Sequence, residues 1–161
     1  MKTLWAPWRM AYILSEKDQG CIFCEYLKQD VSKDRDNLIL YRSTHNFVIM
    51  NRYPYNNGHL MVAPYLHTPS LDGLADEVIL DFMKVTQHAI NSLKKVMMPE
   101  GFNIGINIGR IAGAGMESHV HLHMVPRWAG DTSFMTVLDE VRVIPEHIVD
   151  TYDKLFVAFN S

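Results

Sequence analysis

The sequence predicts an α+β fold, in which a small antiparallel sheet carries helices on one side. Short segments that are rich in branched and aromatic residues, or that alternate strictly, occur before and after one long segment with apolar residues at helical spacing. A second segment of helical character closes the chain. Strands followed by a helix and then by more strands favour an antiparallel α+β sheet.

The first three strands are predicted from apolar runs separated by polar or turn-forming residues. "LILYR" at 38–42 and "NFVIMN" at 46–51 flank the polar "STH" and are typical of a hairpin. Pro54, paired asparagines and Gly58 then indicate a loop. After this loop, "LMVAPY" at 60–65 predicts the third strand.

Two helices and a fourth strand follow. Residues 72–98 predict one long helix that ends at Pro99 and Gly101. "FNIGINIG" at 102–109 alternates with a period of two, which predicts a strand. The stretch "IPEHIVDTYDKLFVAF" at 144–159 predicts a last helix with Pro145 in its first turn.

The fifth predicted strand is "SHVHLHMVPRW" at 118–128. Successive side chains of a strand point to opposite faces, so His119, His121 and His123 form a row, with the apolar residues between them behind it. One face is for packing and the other for chemistry. A solvated strand face that happens to be rich in histidine is the alternative, and it stays open.

Two kinds of chemistry fit such a row. The three imidazoles could hold one metal ion that activates water, or one imidazole could attack phosphorus directly. The Gly/Ala-rich "RIAGAGMES" just upstream offers backbone N–H groups to phosphate oxygens, and Glu117 is the only acid close in sequence to the histidines. Both observations favour phosphoryl chemistry over a metallohydrolase.

Composition narrows the class of protein. The net charge of −3 and the scattered lysines and arginines do not favour nucleic-acid binding. The first residues lack the apolar core of a signal peptide, and no later apolar run reaches membrane-spanning length, so we expect a cytoplasmic protein without a membrane partner. The only two cysteines lie in "CIFC", which in a reducing compartment favours a metal site or reactive thiols over a disulfide.

At these motifs the chain resembles a known family. "HVHLHMV" is similar to the signature of the histidine triad (HIT) proteins, and "NNGHLMVAPYLH" and "CIFC" extend the likeness over roughly residues 20–128. More narrowly, "LWAPWRMAYI", "GFNIGINIG" and "HMVPRWAGDTSFM" resemble the bacterial diadenosine tetraphosphate phosphorylases of that family.

The resemblance implies a fold and an organisation. We expect an antiparallel sheet of about five strands with flanking helices, and a homodimer or higher homo-oligomer in which the sheets join. Residues 1–161 would form a single HIT domain, with an N-terminal extension at 1–19, a core at 20–128, and a C-terminal segment and helix at 129–161.

The resemblance also implies a reaction. His121 would attack the α-phosphorus of diadenosine tetraphosphate and form an adenylyl-histidine, while His123 would lie beside the phosphate. Discharge by inorganic phosphate would make the enzyme a phosphorylase. Two alternatives stay open: a nucleotide hydrolase or nucleoside phosphoramidase that releases AMP, and a zinc- and nucleotide-binding module with little turnover.

The cysteine pair has an implied role in metal binding. Zinc prefers four ligands in a tetrahedron, and the resemblance implies that Cys21, Cys24, His67 and His119 bind one structural zinc ion. His119 would then anchor the strand on which His121 performs chemistry. From spacing alone, two buried cysteines without a metal remain an alternative.

The nucleotide pocket is predicted in part from the resemblance. Asn51 stands where many family members have a ribose-binding Asp, and Asn107 stands where a family asparagine contacts phosphate. A glutamine that family members carry before the first histidine is missing here, so the backbone amides of the loop or the hydroxyl of Ser118 would replace it. The other candidate nucleotide-binding residues are Phe23, Phe47, Ile49, Gly113, Ala114, Gly115 and Arg127.

Several residues have two open interpretations. Arg127 and Trp128 could bind a distal phosphate or base, or could hold the C-terminal segment, and Arg9 could add to an anion site. His59 could face the nucleotide or be a hydrogen-bonded structural histidine. The remaining histidines are expected at the surface: His45, His88 and His147.

Overall fold

The computed structural model describes residues 20–131 and 144–161. Its centre is a five-stranded sheet in the order β1-β2-β3-β5-β4, in which all neighbours are antiparallel. The strands are β1 (Ile39–Arg42), β2 (Asn46–Met50), β3 (Leu60–Pro64), β4 (Gly101–Ile106) and β5 (Leu122–Arg127). The predicted α+β class, the hairpin and the five strands are therefore confirmed.

Four α-helices flank the sheet within the described ranges. They are α1 (Ile22–Leu27), α2 (Asp34–Asn37), α3 (Asp76–Met97) and α4 (Ile148–Phe159). Short 3₁₀ turns lie at Val31–Lys33 and Arg110–Ala112. No helix of the described residues is both long and apolar enough to cross a bilayer.

Two predicted helix starts are wrong. The long helix begins at Asp76 rather than at residue 72, because residues 69–74 form turns and Ala75 is the extended N-cap residue. Pro145 is not in the first turn of α4. His147 is the N-cap there, and its side chain accepts a hydrogen bond from the N–H of Val149, so Pro145 lies two residues before the cap.

The sheet has helices on both faces, not on one. Asn46 donates to the carbonyl of Val78 in α3, so α3 packs on the face that Asn46 shares with Val48. Phe47 points the other way, and Phe23 of α1 meets it edge-on with ring centroids 6.1 Å apart. The core thus fills both sides of β2, whose five residues are all buried.

The histidine segment is only partly a paired strand. Backbone pairing with β3 and β4 begins at Leu122, so His119 and His121 precede β5 and His123 lies within it. The N–H of Val120 instead donates to the carbonyl of Thr68. Across these three histidines the chain passes from a loop contact into its position between β3 and β4.

Candidate functional site

The three histidines lie in a row, as the alternation predicted, with His119 and His121 just before β5 and His123 within it. β5 sits between β3 and β4, and His123 is in register with Met61 on one side and Gly105 on the other. The rings of His121 and His123 meet with centroids 4.7 Å apart. They share the face that α3 does not cover, because Met124, which alternates with His123, is in register through Leu60 with Met50 on the α3 face.

His119 is completely buried and its hydrogen bonds define its tautomer. Nε2 lies 2.9 Å from the carbonyl oxygen of Pro64, which can only accept, so Nε2 carries the proton. Nδ1 of the neutral ring then presents a lone pair. That lone pair faces the sulfur atoms of Cys21 and Cys24, at 3.2 Å and 3.6 Å.

His121 has the opposite tautomer. Nδ1 donates to the carbonyl oxygen of His119 at 2.8 Å, so the lone pair of the neutral ring is on Nε2. Burial lowers the pKa of His121, while the bond to His119 acts in the opposite direction. The ring is therefore neutral near pH 7, with a nucleophilic nitrogen whose partner nitrogen is already bonded.

A second chain of hydrogen bonds orients His123. The backbone N–H of Tyr55 donates to Nδ1 of His59 at 3.1 Å, so the proton of neutral His59 is on Nε2. That proton is donated to Nδ1 of His123 at 2.9 Å. The proton of neutral His123 is consequently on Nε2, the ring nitrogen that does not bond His59.

Both members of this pair are held neutral. Burial, followed by the proximity of His123 and His121, lowers the pKa of His59 to about 3. Burial and then His121 lower the pKa of His123 to about 4. Since neither ring is charged near pH 7, the donor direction from His59 to His123 persists across the physiological range.

Four predicted metal ligands converge at the end of the histidine row. One ligand atom from each of Cys21, Cys24, His67 and His119 lies within 4.8 Å of the others. Sγ of Cys24 is 3.3 Å from Nδ1 of His67. Nδ1 of His119 is 3.2 Å from Sγ of Cys21 and 3.6 Å from Sγ of Cys24. A tetrahedral zinc with two sulfur and two nitrogen ligands has edges of roughly 3.5 Å, so this group could bind a metal ion.

The predicted nucleotide-binding residues are only partly gathered here. Asn51 follows β2. Its Oδ1 accepts from the backbone N–H of Tyr53, and its Nδ2 lies 3.4 Å from Nδ1 of His59. Asn107 follows β4, and Gly113, Gly115 and Ser118 lie in the loop beyond it. The apolar candidates are buried in the core, with at most 2% of their surface exposed: Phe23, Phe47 and Ile49.

Arg127 and Trp128 hold the loop that follows β5. Arg127 donates to both carboxylate oxygens of Asp131, at 2.6 and 2.7 Å, and to Oδ1 of Asn103. Asp131 also accepts from Asn56 and from the N–H of Trp128. The indole N–H of Trp128 donates to the carbonyl of Met97 at the end of α3. In this structure the two residues anchor the chain, while Arg9 lies outside the described residues.

Sequence reasoning left one functional contact unassigned and misplaced two histidines. His59, for which two interpretations were open, is buried and hydrogen-bonded to His123, a residue 64 positions away. His88 is half-buried, because its Nε2 donates to the carbonyl of Phe159 and its ring packs on Tyr41. His45 is half-buried as well, whereas His147 is exposed as predicted.

This fold and site define a class of proteins in which a row of neutral histidines lies across an antiparallel sheet, and comparison with known proteins agrees. The HIT domain profile matches residues 32–130. The chain therefore belongs to the HIT domain family.

Individual relatives span most of the chain. AP-4-A phosphorylase of Mycobacterium tuberculosis is 36% identical, over 94% of this chain and 80% of that protein. Adenosine 5'-monophosphoramidase of Saccharomyces cerevisiae is 27% identical over 68% of this chain and 64% of that protein. The crystal structure of a zinc-bound histidine triad family protein from Mycobacterium smegmatis superposes with a TM-score of 0.68 at 27% identity, over 88% of this chain and 94% of that one.

Proposed function

We propose that this chain cleaves diadenosine tetraphosphate by transferring an adenylyl group first to His121 and then to inorganic phosphate. The products would be ATP from the first step and ADP from the second. Family membership and the similarity to an AP-4-A phosphorylase support the substrate class. The tautomers of the histidines support the chemistry.

The observation that carries the proposal is the bond from Nδ1 of His121 to the carbonyl of His119. A nucleophilic imidazole needs its lone pair on the attacking nitrogen and a donor bond on the other, so that the positive charge that develops is stabilised. Both conditions hold at His121, whose Nε2 has no hydrogen-bond partner among the described residues. Positioning of the phosphate in front of that nitrogen would then suffice for attack.

His123 would act on the phosphate oxygens. Its Nε2–H is held outward by His59, so it donates to an oxygen on the phosphorus under attack. Because the departing phosphate is a stable anion near pH 7, the step needs a hydrogen-bond donor rather than a proton transfer. Ser118, exposed in the preceding loop, is a further candidate donor in place of the missing family glutamine.

Product analysis tests the acceptor. With millimolar phosphate the reaction should speed up and yield ADP together with ATP, whereas water would yield AMP together with ATP. Water is present at about 55 M, so phosphate competes only if the protein positions it. If AMP remains the sole partner of ATP at saturating phosphate, phosphorolysis is wrong.

One observation favours the hydrolytic alternative. The charge of Arg127, a predicted anion ligand, is compensated by a bidentate ion pair with Asp131. A weaker anion site would leave water as acceptor, and the similarity to an adenosine 5'-monophosphoramidase fits release of AMP. The same product analysis distinguishes the two functions.

We also propose that the Cys21, Cys24, His67 and His119 cluster binds a structural zinc ion. Burial raises the pKa of the Cys24 thiol, and the hydrogen bond to Cys21 and the charge of Cys21 raise it further. Two thiolates this close together are therefore unfavourable unless a cation binds between them. Two thiolates and two imidazoles are the donor set that zinc prefers. When bound, the metal would stabilise the fold around His119, since four protein ligands leave no open position.

Finally, we propose a homodimer that joins along β4. This strand is at the edge of the sheet, and three isoleucines on or just after it are exposed: Ile104, Ile108 and Ile111. An exposed apolar edge is disfavoured in a monomer and suits pairing with a second copy. The predicted cytoplasmic location and the single-domain organisation stay predictions.

A further inference from the structure

The loop between β2 and β3 carries His59 and leaves it just outside the paired part of the sheet. Backbone pairing of β3 with β5 begins at Leu60. The N–H of His59 donates to the carbonyl of Asn56 and its carbonyl accepts from the N–H of Asn51, so both groups are used within the loop. The bond of 2.9 Å between the rings of His59 and His123 therefore depends on other contacts between this loop and β5.

The side chain of Asn56 makes such a contact. Its NH₂ group donates to the carbonyl of Pro126 in β5, at 3.0 Å, and to Oδ2 of Asp131, at 2.9 Å. Its Oδ1 accepts from the backbone N–H of Asn57 at 3.1 Å, so both ends of the amide are used. Pro126 is on the same strand as His123. Asn56 thus continues the connection between the two segments beyond the backbone ladder.

Asp131 fixes the orientation of the Asn56 amide. Its carboxylate accepts from Arg127 through both oxygens and from the backbone N–H of Trp128, which anchors it to the end of β5. A carboxylate and a carbonyl can only accept, so the NH₂ end of the amide must face β5. The side chain of Asp131 is 10% exposed and Asn56 is 8% exposed. These bonds are therefore largely shielded from competition with water.

Asn56 also lies next to the N–H that determines the tautomers. The N–H of Tyr55 donates to Nδ1 of His59, and the bond from the N–H of His59 to the carbonyl of Asn56 closes a turn. Gly58 within this turn has a φ of 71°, which glycine adopts readily. A turn that moved away from β5 would free His59 to exchange its protonated nitrogen, and His123 would follow.

We propose that Asn56 is a positioning residue, which clamps the loop of His59 onto the strand of His123 and so keeps the proton of His123 on Nε2. This rests on the proposed function, in which that N–H donates to an oxygen on the phosphorus under attack. Asn56 acts through the two histidines and not on the phosphate itself.

Asn56→Ala tests the clamp, and Asn57→Ala is the matched control. The two asparagines are neighbours in one loop and each is 8% exposed. Asn57, however, accepts from the hydroxyl of Thr151 in α4, whereas Asn56 donates to β5. Each substitution deletes a buried amide that is hydrogen-bonded, so both variants should melt below the wild type. If the alanine variant does not fold, Asn56→Ser retains a hydroxyl donor and should show the same changes to a smaller degree.

The first readout is the protonated nitrogen of each histidine, measured without nucleotide from the ¹⁵N shifts of the rings. In the wild type and in Asn57→Ala, His59 and His123 should each carry the proton on Nε2. In Asn56→Ala both rings should show shifts averaged over two tautomers. His121 should keep its proton on Nδ1 in every variant, because its partner is a backbone carbonyl outside the loop. Unchanged shifts of His59 and His123 in folded Asn56→Ala would overturn the proposal.

Turnover is the second readout. Misplacement of a catalytic group by about 1 Å can cost about 100-fold in rate, so Asn56→Ala should lower kcat for diadenosine tetraphosphate by about 10–100-fold. A donor that acts in the transition state affects kcat more than KM, so KM should stay within about threefold. Asn57→Ala should keep both constants within about twofold. An equal loss of kcat in the two variants would show a merely structural role and overturn the proposal.

The two readouts distinguish failure of the clamp from failure of the proposed function. If the tautomers depend on Asn56 but the wild type does not cleave diadenosine tetraphosphate, the proposed function is wrong and the clamp stands. If the wild type cleaves it and Asn56→Ala retains both the tautomers and kcat, the clamp alone is wrong.

Discussion

Acidification from pH 7 to pH 5 should destabilise this protein, and His59 alone should account for a measurable part of the loss. Its ring is 1% exposed, and burial followed by the nearby His123 and His121 lowers its pKa to about 3. In the unfolded chain the pKa returns to about 6.5. Between these values only the unfolded state binds the proton, so the stability that His59 contributes is complete above about pH 6.5 and falls as the pH is lowered.

The size of the effect follows from this window. Each pH unit inside it costs about 1.4 kcal/mol, and from pH 7 to pH 5 the titration of His59 costs about 2 kcal/mol. For a chain of this length that corresponds to about 4–8 °C in Tm.

His59→Gln isolates the contribution. Glutamine does not titrate, yet its amide can still donate toward Nδ1 of His123. Urea or thermal unfolding of both proteins at pH 7 and pH 5 gives two acid-induced losses, and the metal ligands and other histidines are common to both. The wild type should lose about 2 kcal/mol more than the variant. Equal losses would refute the buried, neutral state of His59.

Other predictions concern the nucleophile, the metal and the dimer. His121→Ala should lower turnover by orders of magnitude while nucleotide affinity stays within roughly tenfold, and His45→Ala should change neither, as steady-state kinetics and calorimetry would reveal. Metal analysis should find about one zinc per chain, and Cys24→Ser should lose both zinc and several degrees of Tm; full zinc content without both cysteines would exclude the site. Ile104→Glu, at the exposed edge of β4, should convert dimers to monomers in light scattering, and an unchanged mass would rule out that interface.

Much of the fold could be predicted because its signals are local. The alternation at the histidines predicted one row of rings even though pairing begins only at Leu122, since extended backbone alternates whether or not it is paired. The start of α3 was misplaced because apolar spacing continues through the turns before Asp76. The helix that carries "CIFC" has only six residues, too few for periodicity to indicate it.

The site was less predictable, because its decisive contacts join distant segments. The convergence of Cys21 and Cys24 on His67 and His119 was expected from the family resemblance, not from spacing. The hydrogen bond between His59 and His123 joins residues 64 positions apart and follows from no periodicity. Such contacts depend on how strands and loops pack, which one sequence does not encode as a local pattern.

The hydrogen bonds that select the tautomers have a consequence for mutational tolerance. The partners that define His119, His121 and His59 are the carbonyls of Pro64 and His119 and the N–H of Tyr55. Backbone groups are supplied by every amino acid, so replacing the side chain of Pro64 or Tyr55 leaves the proton locations unchanged, and replacing that of His119 leaves the proton of His121 in place. Proline at position 55 is the exception, because it removes the N–H. In a saturation scan, Tyr55→Pro should therefore lower activity far more than other substitutions at that position, because it alone removes the N–H that fixes the tautomer of His59.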